Sequence, residues 1–187
     1  MGRLIEKNAV TVSLADPRSE ECLLLSDHSW SELNRLNGDV DSAEFFALDF
    51  SGAGSAFVVA RQNWRAVGCG AIRRLAPGVA EIKRIFVEPE ARQLGIGRKI
   101  LSALETIGRD LGYSALQLET GVRQPAAIRL YERAGYQRIL VYGQYRDDPL
   151  SVCFKKVVGE GRRANSESEA RPSASRAVYS KLAAAAS

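Results

Sequence analysis

The sequence predicts a single α/β (α+β) domain, and three observations carry that prediction. Short β-branched or alternating runs follow one another between Ala56 and Val87, separated only by turn-sized gaps. A glycine-punctuated stretch then leads into Ile96, Ile100, Leu104, Ile107 and Leu111, three or four apart, which is the spacing of one helix face. The 187 residues give enough chain for one sizeable core and too little for two comfortable domains of about 100–200 residues each.

Each element follows from local chemistry. Alternation over residues 10–14 predicts a first strand, and Asp16-Pro17 ahead of Cys22, Leu23, Leu24 and Leu25 predicts a helical region reaching Leu36, where Asn37-Gly38-Asp39 breaks it. Residues 40–54 fit a strand or a helix fragment equally. Strands are expected over 56–61 and 66–75 around a Gln62-Asn63-Trp64 turn, and over 80–87 after the Ala76-Pro77-Gly78 turn; three hairpin-linked neighbours should run antiparallel. The glycine-led helix comes next, then a strand over 115–119 and a helix opening at Pro125 and ending at Gly135. Strands over 137–141 and 151–157 close the domain. From Gly159 onward Ser, Ala, Arg and Glu dominate, with too little apolar surface to fold, so residues 1–158 are expected to form the domain and 159–187 a disordered tail.

The order strand, glycine loop, helix start is the arrangement that binds anions. The first backbone N–H groups of a helix have no internal partner and sit at the positive end of its dipole. Gly95 and Gly97 let backbone approach a phosphate closely, and Arg92, Arg98 and Lys99 add positive charge. Two familiar phosphate patterns fail here. A dinucleotide fingerprint needs glycine at position 100, which is Ile100, and a P-loop needs Lys-Ser/Thr after the glycine, whereas Arg98 and Lys99 follow Gly97.

The hexad Arg92-Gln93-Leu94-Gly95-Ile96-Gly97 resembles the acetyl-CoA loop of the GNAT superfamily of N-acetyltransferases, which reads Gln/Arg-x-x-Gly-x-Gly/Ala. Glu81 at the head of the preceding strand, the hydrophobic strand after the helix, and the Ala-x-x-Leu-Tyr-Glu-x-x-Gly-Tyr block from Ala127 to Tyr136 extend the resemblance over residues 55–157. It implies a mixed, mostly antiparallel central sheet flanked by helices, acetyl-CoA as co-substrate and no metal. It also implies roles. Glu81 stands where members of the family place a general base acting through water; the alternative for it is a strand carboxylate paired with Lys83 or Arg84. Tyr131 stands at the general-acid position, with a core tyrosine as its alternative. Backbone N–H groups near Phe86 and Val87 would meet the acetyl carbonyl. Those of Arg92, Gln93, Leu94, Gly95, Ile96 and Gly97, with Arg98, would meet the pyrophosphate. Gln124 stands where the family often has Asn, keeping an amide on a longer arm.

The acceptor expected from the resemblance is a primary amine on a small molecule. Arg73, Arg74, Lys83 and Arg84 cluster on neighbouring strands and would suit an acceptor carrying a carboxylate, as an amino acid does; the alternative for them is charge on solvated strand faces, the commoner explanation. The alternatives are a protein or peptide acceptor, or a non-catalytic acetyl-CoA-binding module; the resemblance also leaves room for a homodimer.

Composition narrows the remaining classes. The formal charge of +4 divides evenly between the tail and the body, a weak footprint for nucleic acid. No stretch has the apolar length of a membrane span, and the first twenty residues lack an apolar export core. Cys22, Cys69 and Cys153 are odd in number, far apart and without a C-x-x-C pair, which argues against a disulfide framework or zinc site and for a cytoplasmic setting. His28 is the single histidine; it precedes Ser29-Trp30-Ser31-Glu32, the pattern of a helix-opening capping box.

Overall fold

Alternating apolar residues and two tight turns build the first half of the sheet. The computed structural model describes residues 9–38 and 50–159. In it β1 (Val10–Leu14), β2 (Ala56–Gln62), β3 (Arg65–Ala76) and β4 (Val79–Val87) pair in succession, each antiparallel to the one before. At the β2–β3 turn Asn63 and Trp64 have φ of 50° and 69°. Two consecutive left-handed residues give the turn whose twist matches its strands.

After β4 a short 3-10 turn (Pro89–Ala91) and the glycine loop lead into α2 (Ile96–Asp110), which returns the chain to β5 (Ala115–Gly121), parallel to β4. Then come α3 (Pro125–Arg133), β6 (Gln137–Ile139) and β7 (Ser151–Val157). The seven strands lie in the order β1-β2-β3-β4-β5-β7-β6, so the sheet is mixed and mostly antiparallel. The first helix, α1 (Glu20–Asn37), packs on β3 and β4.

Two hydrophobic layers result. On one face Ile96, Ile100, Leu101, Leu104 and Ile107 of α2 are buried against Ile72, Ile82, Leu116 and Leu118; full burial of each such side chain is worth about 2 kcal/mol. The helix comes this close because β3 carries glycine at two positions beneath it. A Cβ on Gly70 would lie 2.6 Å from Ile100 Cγ2, and one on Gly68 would lie 2.7 Å from the Phe86 carbonyl oxygen. On the opposite face Cys22 and Leu25 of α1 join Phe50, Phe57, Cys69, Ala71 and Phe86. All three cysteines are free thiols in the core.

Two expectations need revision. The capping-box reading at Ser29 fails: α1 already begins at Glu20, and Ser29 is a buried residue on its inner face with Cys22, Leu25 and Ser26. His28 therefore lies mid-helix, with Nδ1 2.7 Å from Glu88 Oε1. The strand expected over 137–141 stops at Ile139, and the chain then passes through a second 3-10 turn, Gly143–Tyr145. Most of the ambiguous 40–54 stretch, and the tail from residue 160, lie outside the described residues.

β4 is irregular at one point. Its register with β3 steps from Cys69↔Phe86 to Ala71↔Lys83, so two residues of β4, Arg84 and Ile85, oppose the single Gly70 of β3. The extra residue is Arg84, at φ 61°, a β-bulge that exchanges which face of the sheet each later side chain meets.

Trp64 is 94 % exposed, so its side chain gives little burial in return for a left-handed backbone. Trp64→Gly is expected to raise stability by about 0.5–1 kcal/mol. An unchanged or lower urea midpoint would contradict this account of the turn.

Candidate active site

Three residue pairs join β4 to β5, ending at Glu81↔Gln117. Beyond that pair the strands part, because β5 continues against β7 as far as Gly121↔Ser151 while β4 follows β3. The parting leaves a cleft of about 130 Å³ whose walls are residues 82–86 of β4, Glu119 and Thr120 of β5, Gln124 and Tyr131 on the α3 side, and Ser29, Glu32 and Leu33 of α1. A larger depression of about 330 Å³ lies at Gln62, Asn63, Arg65 and Glu90. It contains no serine, cysteine, lysine or tyrosine that could take part in group transfer, so the chemistry points to the parting.

The glycine loop follows the end of β4, with Gly97 near Val87 and Leu130. Gln93 and Gly95 have φ of 65° and 75°, and Gly95 precedes the first residue of α2 without any side-chain cap. The first intrahelical bond of α2 is Lys99 N–H to the Gly95 carbonyl, and Arg92 N–H donates to the Pro89 carbonyl. Among the described residues, the backbone N–H groups of Gln93, Leu94, Gly95, Ile96, Gly97 and Arg98 have no acceptor. Six open donors at the positive end of a fifteen-residue helix fit a diphosphate. Ile96 is buried and anchors the loop, Leu94 is half exposed, and Gly97 leaves room beside Leu130.

The arginines of the loop behave differently from simple phosphate ligands. Arg98 donates to the Arg133 carbonyl at 3.2 Å and ties α2 to α3. The Arg92 side chain turns away from the helix start: its Nε donates to the Val87 carbonyl at 2.9 Å, and its Nη2 pairs with Glu32 of α1. It is a strut between α1 and the end of β4.

The two backbone positions expected at the acetyl carbonyl also separate. Glu88 N–H bonds to the Val67 carbonyl of β3, so by alternation the Val87 backbone faces away from β3, into the parting, where its carbonyl meets Arg92. Phe86 faces the other way. Its carbonyl lies against Gly68 of β3, and by the same alternation its N–H also points toward β3 rather than into the parting.

Glu81 closes the foot of the parting and does not line it. Its side chain is 2 % exposed; Oε2 accepts from Arg73 Nε at 2.9 Å and Nη2 at 2.7 Å, and Oε1 accepts from Tyr142 at 3.1 Å with Lys83 Nζ at 4.0 Å. Its principal cationic partner is thus Arg73, directly across the β3–β4 ladder, rather than Lys83 or Arg84. Tyr131 does line the cleft, held by its ring against Tyr136 and Phe154 at centroid distances of 6.0 and 5.8 Å. Its hydroxyl makes no hydrogen bond among the described residues. Burial first and the Glu119 charge second push its phenol upward, so it holds its proton at neutral pH. Gln124 precedes α3 and accepts from Thr120 at 3.2 Å.

Glu119, Tyr142 and Tyr145 belong to the site although the sequence reading passes over them. Glu119 lines the cleft and accepts from Ser151 at 2.8 Å; burial raises its carboxyl above the usual range, opposed by Ser151 and Lys83. Tyr145 accepts from Lys83 Nζ, and the two tyrosine rings meet edge to face. The alternation of Glu119 with buried Leu116, Leu118 and Thr120 is a usable signal for a carboxylate facing the other side. The tyrosines lie in an irregular connection that has no such signal. The four basic residues also divide. Arg73, Lys83 and Arg84 are on the α1 face, Arg84 with its guanidinium 5.8 Å from the Phe50 ring, whereas Arg74 is at the strand end beside Gly54. The bulge is why two consecutive residues, Lys83 and Arg84, share a face.

Among the described residues no group of three His, Cys, Asp or Glu side chains could hold a metal, and no helix is long and apolar enough to cross a membrane. Removing the cation that faces Glu81 should be costly, since the carboxylate stays buried. Arg73→Ala is expected to lower stability by about 2 kcal/mol, less than a fully buried pair because Arg73 is 31 % exposed. Arg73→Ala/Glu81→Ala should recover part of that loss in urea unfolding; strictly additive losses would refute the pairing.

Comparison with known proteins agrees with this geometry. The model of the acetyltransferase (GNAT) family matches residues 23–136. An IAA acetyltransferase of Azospirillum brasilense is 39 % identical over 152 residues, 79 % of this chain and 97 % of that protein. A Klebsiella pneumoniae structure assigned to the acyl-CoA N-acyltransferases superposes with a TM-score of 0.68 at 32 % identity, covering 80 % of this chain and 98 % of the other. The PaiA N-acetyltransferase of Thermoplasma acidophilum, solved with coenzyme A, shares the fold with a TM-score of 0.62 at 15 % identity over 80 % of this chain and 99 % of its own. With the parted strands, the open-donor loop and these matches together, the chain belongs to the GNAT family of acetyl-CoA-dependent acetyltransferases.

Proposed function

We propose that the chain transfers the acetyl group of acetyl-CoA to the primary amine of a small molecule that also carries a carboxylate, an amino-acid-like acceptor. The observation that carries this reading is the bulge at Arg84, which brings Lys83 and Arg84 together on the α1 face of the cleft that also holds Tyr131. Two basic groups there suit a carboxylate and disfavour a polycationic acceptor.

The division of labour follows from position. Acetyl-CoA supplies an activated thioester. The open N–H groups of residues 93–98 hold its diphosphate on the α2 side, and the Val87 N–H, aimed into the parting, donates to the carbonyl oxygen as negative charge builds there. Glu119 takes the proton of the acceptor amine. The geometry favours it over Glu81, because Glu119 lines the cleft while both oxygens of Glu81 are engaged behind it. Glu81 instead fixes Arg73 and Tyr142 at the floor. Tyr131, kept protonated by burial, gives its proton to the departing thiolate. Gln124, beside Thr120 at the start of α3, supplies an amide along the cofactor's arm.

A thiol-release screen of free amines tests the reading. Turnover confined to amines bearing a carboxylate is the expected result; turnover of peptides alone would replace it with a protein-directed activity. On the best acceptor, Tyr131→Phe should lower kcat by on the order of a hundredfold with acetyl-CoA binding near normal. Unchanged kcat would remove Tyr131 from the mechanism.

The pH profile tests Glu119 separately. A base must be deprotonated, and burial raises this carboxyl. Activity should therefore rise with pH through an acid limb above the ordinary carboxylate range, and Glu119→Gln should abolish that limb. An identical limb in the variant would return the role of base to another group.

A further inference from the structure

Lys83 has an unusual place in this cleft. It is the first side chain beyond the last β4–β5 pair to point to the α1 face, so it enters the site from the side on which an acceptor amine must arrive. Its own terminal group is a primary amine. It is 14 % exposed, lines the same cleft as Tyr131, donates to the Tyr145 hydroxyl and lies 4.0 Å from Glu81 Oε1, with its Nζ 5.0 Å from the Tyr145 ring centroid.

We propose that Lys83 is itself an acetyl acceptor: with acetyl-CoA bound and no small-molecule amine in the cleft, the enzyme acetylates Lys83 and so removes one of the two cations that recruit its carboxylate-bearing substrate. The self-modification rests on the acetyl-CoA site, and only its regulatory consequence rests on the acceptor class proposed above.

The chemistry is that of the ordinary reaction with the lysine as nucleophile. The Nζ lone pair attacks the thioester carbonyl carbon, a C–N bond forms and the C–S bond breaks. The departing thiolate takes a proton from Tyr131, and the proton lost by Nζ passes to Glu119 and through solvent back to the Tyr131 phenolate. Acetyl-lysine and coenzyme A thiol are the only products. Four charged groups act on this amine: Glu81 and Glu119 favour its protonated form, Arg73 and Arg84 disfavour it. Burial outweighs them all and lowers its proton affinity, which raises the neutral, nucleophilic fraction. The exposed Lys99 has no such setting and is an internal control in the same chain.

The test incubates the full chain with acetyl-CoA alone and follows acetyl incorporation at each lysine by peptide mass spectrometry, with coenzyme A binding verified by calorimetry. Lys83 should be acetylated at least about tenfold faster than Lys99, as expected of an amine held beside the thioester. The rate should be independent of enzyme concentration, and Tyr131→Phe should slow labelling of Lys83 but not of Lys99. Lys83→Arg should lose the active-site label and keep the slow surface labelling. Equal rates at Lys83 and Lys99, or a Lys83 rate untouched by Tyr131→Phe, would overturn the proposal. If the amine screen still finds turnover in that case, the acetyltransferase reading stands and only the self-modification falls. Lys83→Gln, which imitates the acetylated side chain, should raise KM for carboxylate-bearing amines more than for uncharged ones; equal effects would overturn the regulatory consequence.

Discussion

The site exists because a parallel strand pair stops after three residues. Had β4 and β5 stayed paired beyond Glu81↔Gln117, the sheet would be continuous and no path would join its two faces. The parting needs a closed floor, since an opening that reached the core would admit water to it. Arg73, Glu81 and Tyr142 form that floor, a carboxylate with both oxygens satisfied at the last paired position. A buried charge is costly in apolar surroundings, and here an arginine fork across the ladder and a phenol meet that cost with hydrogen bonds. Every other functional group is placed relative to this point: the open loop donors and Tyr131 on the α2 side, Lys83, Arg84 and Glu119 toward α1.

Much of this was legible in the chain, for identifiable reasons. The α2 face from Ile96 to Ile107 and the glycine loop ahead of it are local patterns, and local patterns survive folding. The paired strands up to Val87 likewise follow from alternation and turn chemistry. Tyr131 was reachable because its surroundings, from Ala127 to Tyr136, form one short block. What escaped depends on chain segments far apart or on irregular backbone. The bulge at Arg84 has no glycine or asparagine to announce it, and simple alternation would have put Lys83 and Arg84 on opposite faces. Glu81 stands out by its position at a strand head, yet its burial depends on Tyr142, sixty-one residues later. Ser29-Trp30-Ser31-Glu32 imitates a helix start while sitting inside α1, because Ser29 packs inward and Glu32 is taken by Arg92.

The two faces of the sheet divide the work by their chemistry. The α2 face is almost wholly aliphatic and is packed closely enough that Gly68 and Gly70 have no room for a Cβ, which makes a stiff platform for the loop donors. The α1 face mixes cations, carboxylates and phenols around a smaller apolar cluster. Stiffness suits a constant ligand such as a diphosphate, and a polar, adaptable wall suits the recognition of one acceptor among many.

The struts between α1 and the loop have a consequence of a different kind. Glu32 to Arg92 and His28 to Glu88 fasten α1 to the segment that leads into the glycine loop. Two binding surfaces fastened through the same few residues share one free energy. By thermodynamic linkage, whatever occupancy of the loop does to the affinity on the α1 side, occupancy of the α1 side must do to the loop by the same factor. A ligand of the α1 wall whose affinity the occupied loop alters must alter coenzyme A affinity by the same factor, a coupling readable with a desulfo form of the cofactor on which no acetyl transfer can take place.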